Sequence, residues 1–272
     1  MNNLEEEQHT IETPVDEPIK ETLEKAIAET MEEQEAEIIE ESVEIVKDET
    51  PWLFFDYSGT LVDTVNALSR TYTRFLGKEF PPDNVKNLYK DYPKLGKIAL
   101  MRKYKFNPLK HMFGGKNKIN EIRKEEFWDG VRAFPGIPEV LSRLQKIVTA
   151  KLAIVTHETE LDDEEDRVKI FQKFGIPIVF DAIITDQSNK KEKFDQFIEE
   201  QGIIYGICIG DTQFDLDLGK THNFSTIGVT WGFSSRDELL GDFVIDGPRE
   251  LLQIVMSLLH QIEQKKLHGD PI

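Results

Sequence analysis

The 272-residue chain lacks most of what would tie it to a membrane or an oxidising compartment. Its single cysteine, Cys208, has no partner for an internal disulfide and stands in an apolar run, where it reads as a small buried hydrophobe. The longest apolar runs, such as Leu152 to Val155 and Ile203 to Ile209, fall far short of the roughly 20 residues that span a bilayer. The opening Leu4-Glu5-Glu6-Glu7 has neither the basic start nor the apolar centre of a signal peptide. Excess positive charge is missing as well: 51 acidic side chains face 33 basic ones, a net charge of −18. That sign disfavours coating of nucleic acid or of an anionic membrane. A soluble, cytoplasmic protein with no nucleic-acid or membrane partner is the expectation.

The charge is unevenly placed. Residues 1–50 hold 18 acids against Lys20, Lys25 and Lys47, and few aromatics, a composition that favours a disordered or loosely helical acidic extension. Leu23, Ile27, Met31, Ile38 and Ile45 recur at near-helical spacing, so a helix that binds a protein partner is the sharper alternative to a solvated tail. Beyond Pro51, short apolar runs at 52–55, 152–156, 182–185, 203–209 and 226–229 alternate with helix-like segments at 138–148, 163–174, 191–200 and 216–222. Such alternation points to an α/β fold, a three-layer Rossmann-like parallel sheet covered on both faces. Residues 64–133 break the alternation with helical spacing (Val65, Leu68, Tyr72, Phe75) and 16 basic against 7 acidic side chains. The segment reads as a helical cap inserted into a core made of residues 51–63 and 134–272. Its positive charge would favour an anionic substrate, or be an ordinary lysine-rich surface.

Asp56, Thr156 and Asp211 each end or directly follow an apolar run, and ligands of parallel sheets bind beyond the carboxyl ends of the strands. Taken singly, Asp56 before Ser-Gly is as easily a turn former, and Asp211 and Asp215 are as easily helix-capping acids. Taken in order, however, Asp56-Tyr57-Ser58-Gly59-Thr60-Leu61, Thr156 after Leu152-Ala153-Ile154-Val155, Lys190 in Gln187-Ser188-Asn189-Lys190, and Gly210-Asp211-Thr212-Gln213-Phe214-Asp215 form a pattern. That pattern resembles the four motifs of the haloacid-dehalogenase-like hydrolases. The cap position is similar to that of phosphoglycolate phosphatases and β-phosphoglucomutases.

The resemblance implies a Mg²⁺-dependent hydrolase of a small phosphorylated metabolite, with Asp56 as nucleophile forming an aspartyl-phosphate. It implies a metal site of Asp56, the Ser58 backbone carbonyl and Asp211, supported by Asp215. Thr156 would donate to phosphoryl oxygens, Lys190 would balance charge, and Ser58, Gly59, Thr60 and His157 would complete the substrate surround, His157 alternatively being a plain loop residue. Lys191 and Lys193 crowd Lys190, which is preferred because Phe194, Phe197 and Ile198 then form the apolar face of the helix it precedes. Ser58 departs from the family pattern, whose hydrolytic members carry a second Asp there as acid and base. Two alternatives follow from that departure: a carbon–phosphorus bond hydrolase with a Schiff-base lysine in the cap, and a non-enzymatic interaction protein that kept the fold.

Overall fold

The computed structural model describes residues 49–91, 95, 97–106, 116–147 and 149–268. The acidic extension, save Glu49 and Thr50, lies outside the described residues. Strand β1 (Trp52–Asp56) opens the ordered chain and is followed by helices α1 (Val65–Leu76), α2 (Pro82–Asp91), α3 (Lys97–Lys103), α4 (Lys116–Gly130) and α5 (Ile137–Ile147). Alternation then sets in: β2 (Lys151–Thr156), α6 (Glu164–Phe174), β3 (Ala182–Thr185), α7 (Lys190–Gln201), β4 (Gly206–Gly210) and α8 (Gln213–Thr221). Strands β5 (Ser225–Val229) and β6 (Phe243–Ile245) and helix α9 (Pro248–His268) close the described chain.

The six strands form one parallel sheet in the order β3-β2-β1-β4-β5-β6. Strand β1 is central because both of its faces are apolar, so it is buried on each side rather than alternating. Leu53 and Phe55 pack into a core with Leu141 and Leu144 of α5, Phe171 of α6 and Val255 of α9. Trp52 and Phe54 point the other way, to Phe194 and Ile198 of α7 and Leu218 of α8. The result is a three-layer Rossmann-like α/β fold.

Three elements differ from the sequence expectation. The apolar run from Ile203 to Ile209 is strand only in its second half, for β4 begins at Gly206. Gly202, at φ 59°, ends α7 in the left-handed region, and the Ile203 N–H turns back to the Ile198 carbonyl at 3.1 Å. Ile203 therefore closes a helix while its side chain joins the core. Strand β6 and helix α9 lie beyond the segments that the pattern picked out. Three residues of strand are too short to stand out, whereas Leu251, Val255, Leu258 and Ile262 give α9 a buried stripe at helical spacing.

Helices α1 to α4 occupy the segment between β1 and the rest of the sheet. They share a small core in which Val65 and Leu68 meet Phe80, Val85, Leu88 and Leu100, and Phe233 of the β5–β6 connection reaches into it. Part of the segment's positive charge is paired. Arg70 and Arg74 of α1 hold Glu126 of α4 at 2.7 and 2.8 Å, and Lys90 holds Glu238 at 2.7 Å. Lys94 and Lys110 lie outside the described residues. No described helix is long and apolar enough to cross a membrane.

Candidate active site

Strand order reverses beside β1: the chain runs outward through β2 and β3, then returns to β4 on the opposite side. A crevice forms at such a point, and it is where Asp56, the last residue of β1, faces Asp211, the residue after β4. Carboxylate oxygens of Asp56, Asp211 and Asp215 lie within 4.8 Å of one another. Lys190, the first residue of α7, is buried between two of them, its Nζ 2.6 Å from Asp56 Oδ1 and 2.8 Å from Asp215 Oδ1. Its neighbours point elsewhere: Lys191 pairs with Asp195, and Lys193 lies 3.4 Å from Gln196 Oε1.

Local backbone explains this aim. Asp186 Oδ1 accepts from the Ser188 and Asn189 amides at 2.7 and 2.6 Å, and the Asn189 side chain caps α7. Phe194, one turn on, is fully buried and meets Phe54 edge-on at 4.9 Å, which turns the lysine face of the helix inward. Asp215 serves twice. One oxygen holds Lys190, and the other accepts from the Thr212 amide at 3.2 Å at the start of α8, so the capping reading of this acid is also correct.

Asp211 is enclosed by backbone. Its oxygens accept from the Phe233 amide at 2.6 Å and the Thr60 hydroxyl at 3.2 Å. A Cβ on Gly59 would fall 2.3 Å from Asp211 Oδ2, and one on Gly232 only 2.1 Å from it. Gly59 also sits at φ +95°, a conformation that side chains rarely adopt.

Three buried acids against one lysine leave the crevice with surplus negative charge. Burial first, then repulsion from Asp215, raises the Asp56 carboxyl from 3.8 to about 7, although Lys190 opposes the shift. Asp211 is raised in the same way by burial and by both neighbours. Burial disfavours the Lys190 ammonium, but Asp215 and Asp56 outweigh that effect and keep it charged. Hard carboxylate oxygens carrying excess charge are a donor set that suits a divalent cation such as Mg²⁺.

The remaining expected residues surround this group. Thr156, the buried last residue of β2, accepts the Glu158 amide at 3.2 Å and keeps its own proton available to donate. His157 is exposed. Its Nδ1 lies 2.8 Å from the Asp186 carbonyl, and its ring stacks on Phe214. Ser58 does not point at an unoccupied space; its hydroxyl donates to Glu158 Oε1 at 3.2 Å, and the other oxygen of Glu158 pairs with Arg123 of α4. Burial raises the Glu158 carboxyl despite Arg123. Sequence reasoning missed this Ser58–Glu158–Arg123 chain. Its members lie 100 and 35 positions apart, and the one available signal was an acid two residues after Thr156.

Comparison with known proteins agrees with this geometry. The profile of the haloacid dehalogenase-like hydrolases matches residues 53–229, and the chain belongs to that family. It is therefore a hydrolase, and the non-enzymatic alternative is set aside. Among curated relatives, a phosphoglycolate phosphatase of Synechococcus elongatus is 23% identical over 77% of this chain and 99% of its own. The pyrophosphatase PpaX of Listeria innocua is 27% identical over 75% of this chain and 95% of its own. A haloacid dehalogenase-like hydrolase from Streptococcus pneumoniae shares the fold at a TM-score of 0.58, with 20% identity over 76% of this chain and 99% of that one. The two curated relatives are thus named as a phosphoglycolate phosphatase and a pyrophosphatase.

Proposed function

We propose that the protein hydrolyses a phosphate monoester of a small metabolite through a phosphorylated Asp56. The observation that carries this reading is the Asp56 carboxylate at the end of the central strand, held by Lys190 at 2.6 Å and beside Asp211 and Asp215. Asp56, Asp211 and the Ser58 carbonyl would hold Mg²⁺, with Asp215 in support through Lys190. When bound, the ion supplies charge neutralisation that lets a carboxylate approach a phosphoryl group. Lys190 orients Asp56 and offsets charge on the transferred group. The Thr156 hydroxyl donates to a phosphoryl oxygen. Asp56 attacks phosphorus as the ester P–O bond breaks, and the leaving oxygen takes a proton from water. Water then attacks the acyl phosphate, giving inorganic phosphate and the free carboxylate.

Asp56→Asn keeps the side chain's shape and removes its negative charge. Turnover should fall at least about 10³-fold while the melting temperature is kept, because both roles of the carboxylate are lost. Steady-state phosphate release on acetyl phosphate and aryl phosphates, with Mg²⁺ and with chelator, is the measurement. Metal-dependent activity retained in Asp56→Asn would refute the nucleophile. A second reading, hydrolysis of a carbon–phosphorus bond, draws on Ser58 and on Lys124, which lines the cavity beside Glu158. Borohydride trapping with phosphonoacetaldehyde tests it; the absence of a reduced lysine adduct removes it.

A further inference from the structure

The connection between β5 and β6 meets the catalytic loops at each residue from 231 to 234. The Trp231 indole N–H donates to the Thr60 carbonyl at 3.0 Å. Gly232 approaches so closely that a Cβ there would fall 2.4 Å from the Gly59 carbonyl oxygen. The Phe233 amide donates to Asp211 Oδ2 at 2.6 Å, and the Ser234 amide to the Asp211 carbonyl at 3.3 Å. None of these four residues supplies a group that reacts. Their amide and indole N–H groups instead fix where the Asp211 carboxylate and the loop after Asp56 stand.

The helices hold the same stretch from the other side. The Phe233 ring is buried with Val65, Val85 and Leu88 in the core of α1 to α4. Tyr89 of α2 lies against it, with the ring centres 4.6 Å apart. Farther along, Glu238 pairs with Lys90 of α2 at 2.7 Å. The same Glu238 oxygen accepts the Ser235 amide and hydroxyl at 2.9 and 2.7 Å, so the ion pair grips the backbone that follows Phe233. Phe233 thus has its N–H on an acid of the crevice and its ring among the helices.

We infer that residues 231–238 couple the position of helices α1 to α4 to the affinity of Asp211 for a divalent cation, with Phe233 as the positioning residue. A close-packed ring carries its backbone with it when its neighbours shift. A hydrogen bond to a carboxylate is short and weakens steeply on misalignment, so such a shift is felt at Asp211. The effect runs both ways, because a change in cation affinity caused by the helices requires an equal effect of the cation on the helices. The coupling rests on the reading of Asp211 as a Mg²⁺ ligand, and it is measured without turnover.

Binding of Mg²⁺ alone to the full chain is followed by titration calorimetry in the natural protein and four variants. Phe233→Ala keeps the amide and removes the ring, and should weaken Mg²⁺ about tenfold. Phe233→Leu refills the apolar core and should recover most of that loss. Lys90→Met, outside the crevice, breaks an ion pair whose side chains are each 33% exposed and should weaken Mg²⁺ about twofold to threefold. Arg74→Ala, whose partners Glu125 and Glu126 both lie in α4, should bind as the natural protein does. Amide hydrogen exchange reads the reciprocal effect: saturating Mg²⁺ should slow exchange across α2 in the natural protein and not in Phe233→Ala. Equal Mg²⁺ affinity in the natural protein, Phe233→Ala and Lys90→Met would overturn the coupling. So would a loss in Arg74→Ala as large as that in Lys90→Met. If Phe233→Ala does not fold, Lys90→Met decides the outcome. If the natural protein binds no Mg²⁺, the metal reading fails instead. The link between helices and loop is then decided by exchange of the Phe233 amide, which should quicken in Lys90→Met; an unchanged rate would overturn it.

Discussion

Asp56 concentrates the electrostatic strain of the crevice, and its consequence is a pH dependence of fixed sign. A carboxyl raised from 3.8 to about 7 binds more protons in the folded state than in the unfolded state between those values. Stability from this group is therefore fully present below pH 4 and is lost as pH rises through 7. Asp211 adds to the same trend. A bound cation would reverse it, because it favours the carboxylate form and displaces the proton. Melting temperature should accordingly rise with Mg²⁺ far more at pH 8 than at pH 5. Equal shifts at both pH values, or none, would speak against these acids as ligands. Ser58 has its own signature. With Glu158 only 3.2 Å away, Ser58→Asp would set two carboxyl groups against each other, so restoring the family's usual acid by that change alone meets a repulsive neighbour.

Helix α7 ties packing to chemistry, since one turn separates Lys190, which meets the acids, from Phe194, which meets Phe54. Phe194→Ala would remove a fully buried ring and should cost about 3–5 kcal/mol in urea unfolding, with kcat falling as Lys190 loosens. Asp163→Ala is the contrast. Its carboxylate accepts the Asp166 amide at 2.9 Å to cap α6, so its loss should cost about 1 kcal/mol. Because Asp163 touches none of the acids, kcat should not change. Equal kinetic effects in the two variants would refute the link between α7 packing and the lysine. The same elements show why parts of the fold were legible beforehand. Central strands buried on both faces are continuous apolar runs, and an acid placed directly after such a run must emerge at the sheet edge. Lys190 could be chosen from three lysines because Phe194 and Ile198 define the buried face. Glu158 and Arg123 left no such trace: they pair across separate segments, and neither breaks a local pattern. Ile203 stands in the same apolar run as β4, and hydrophobicity alone does not distinguish a strand residue from one that seals a helix end.

At the scale of the whole molecule, the family match begins at Leu53, whereas residues 1–50 carry 18 acids and three lysines. Most of the net charge of −18 therefore precedes the matched region in the sequence. Deleting residues 1–48 should leave the melting temperature within about 2 °C and kcat/KM unchanged, as expected when no buried surface is removed. A larger fall would mean that the acidic segment packs on the fold. In the proposed reaction Asp56 accepts the phosphoryl group, and Ser58, lacking a carboxylate's proton-transfer capacity, makes release the slow step. The missing acid–base group is typically worth about 10²–10⁴ in rate. An aryl phosphate needs little leaving-group protonation, so phosphorylation should run ahead of hydrolysis. The direct measurement is a rapid-quench time course with an aryl phosphate and Mg²⁺, followed by borohydride reduction and peptide mass spectrometry. A burst of phenol near one equivalent, with position 56 recovered as homoserine, is the predicted result. The absence of a burst, together with an unmodified Asp56 at every time point, would contradict it.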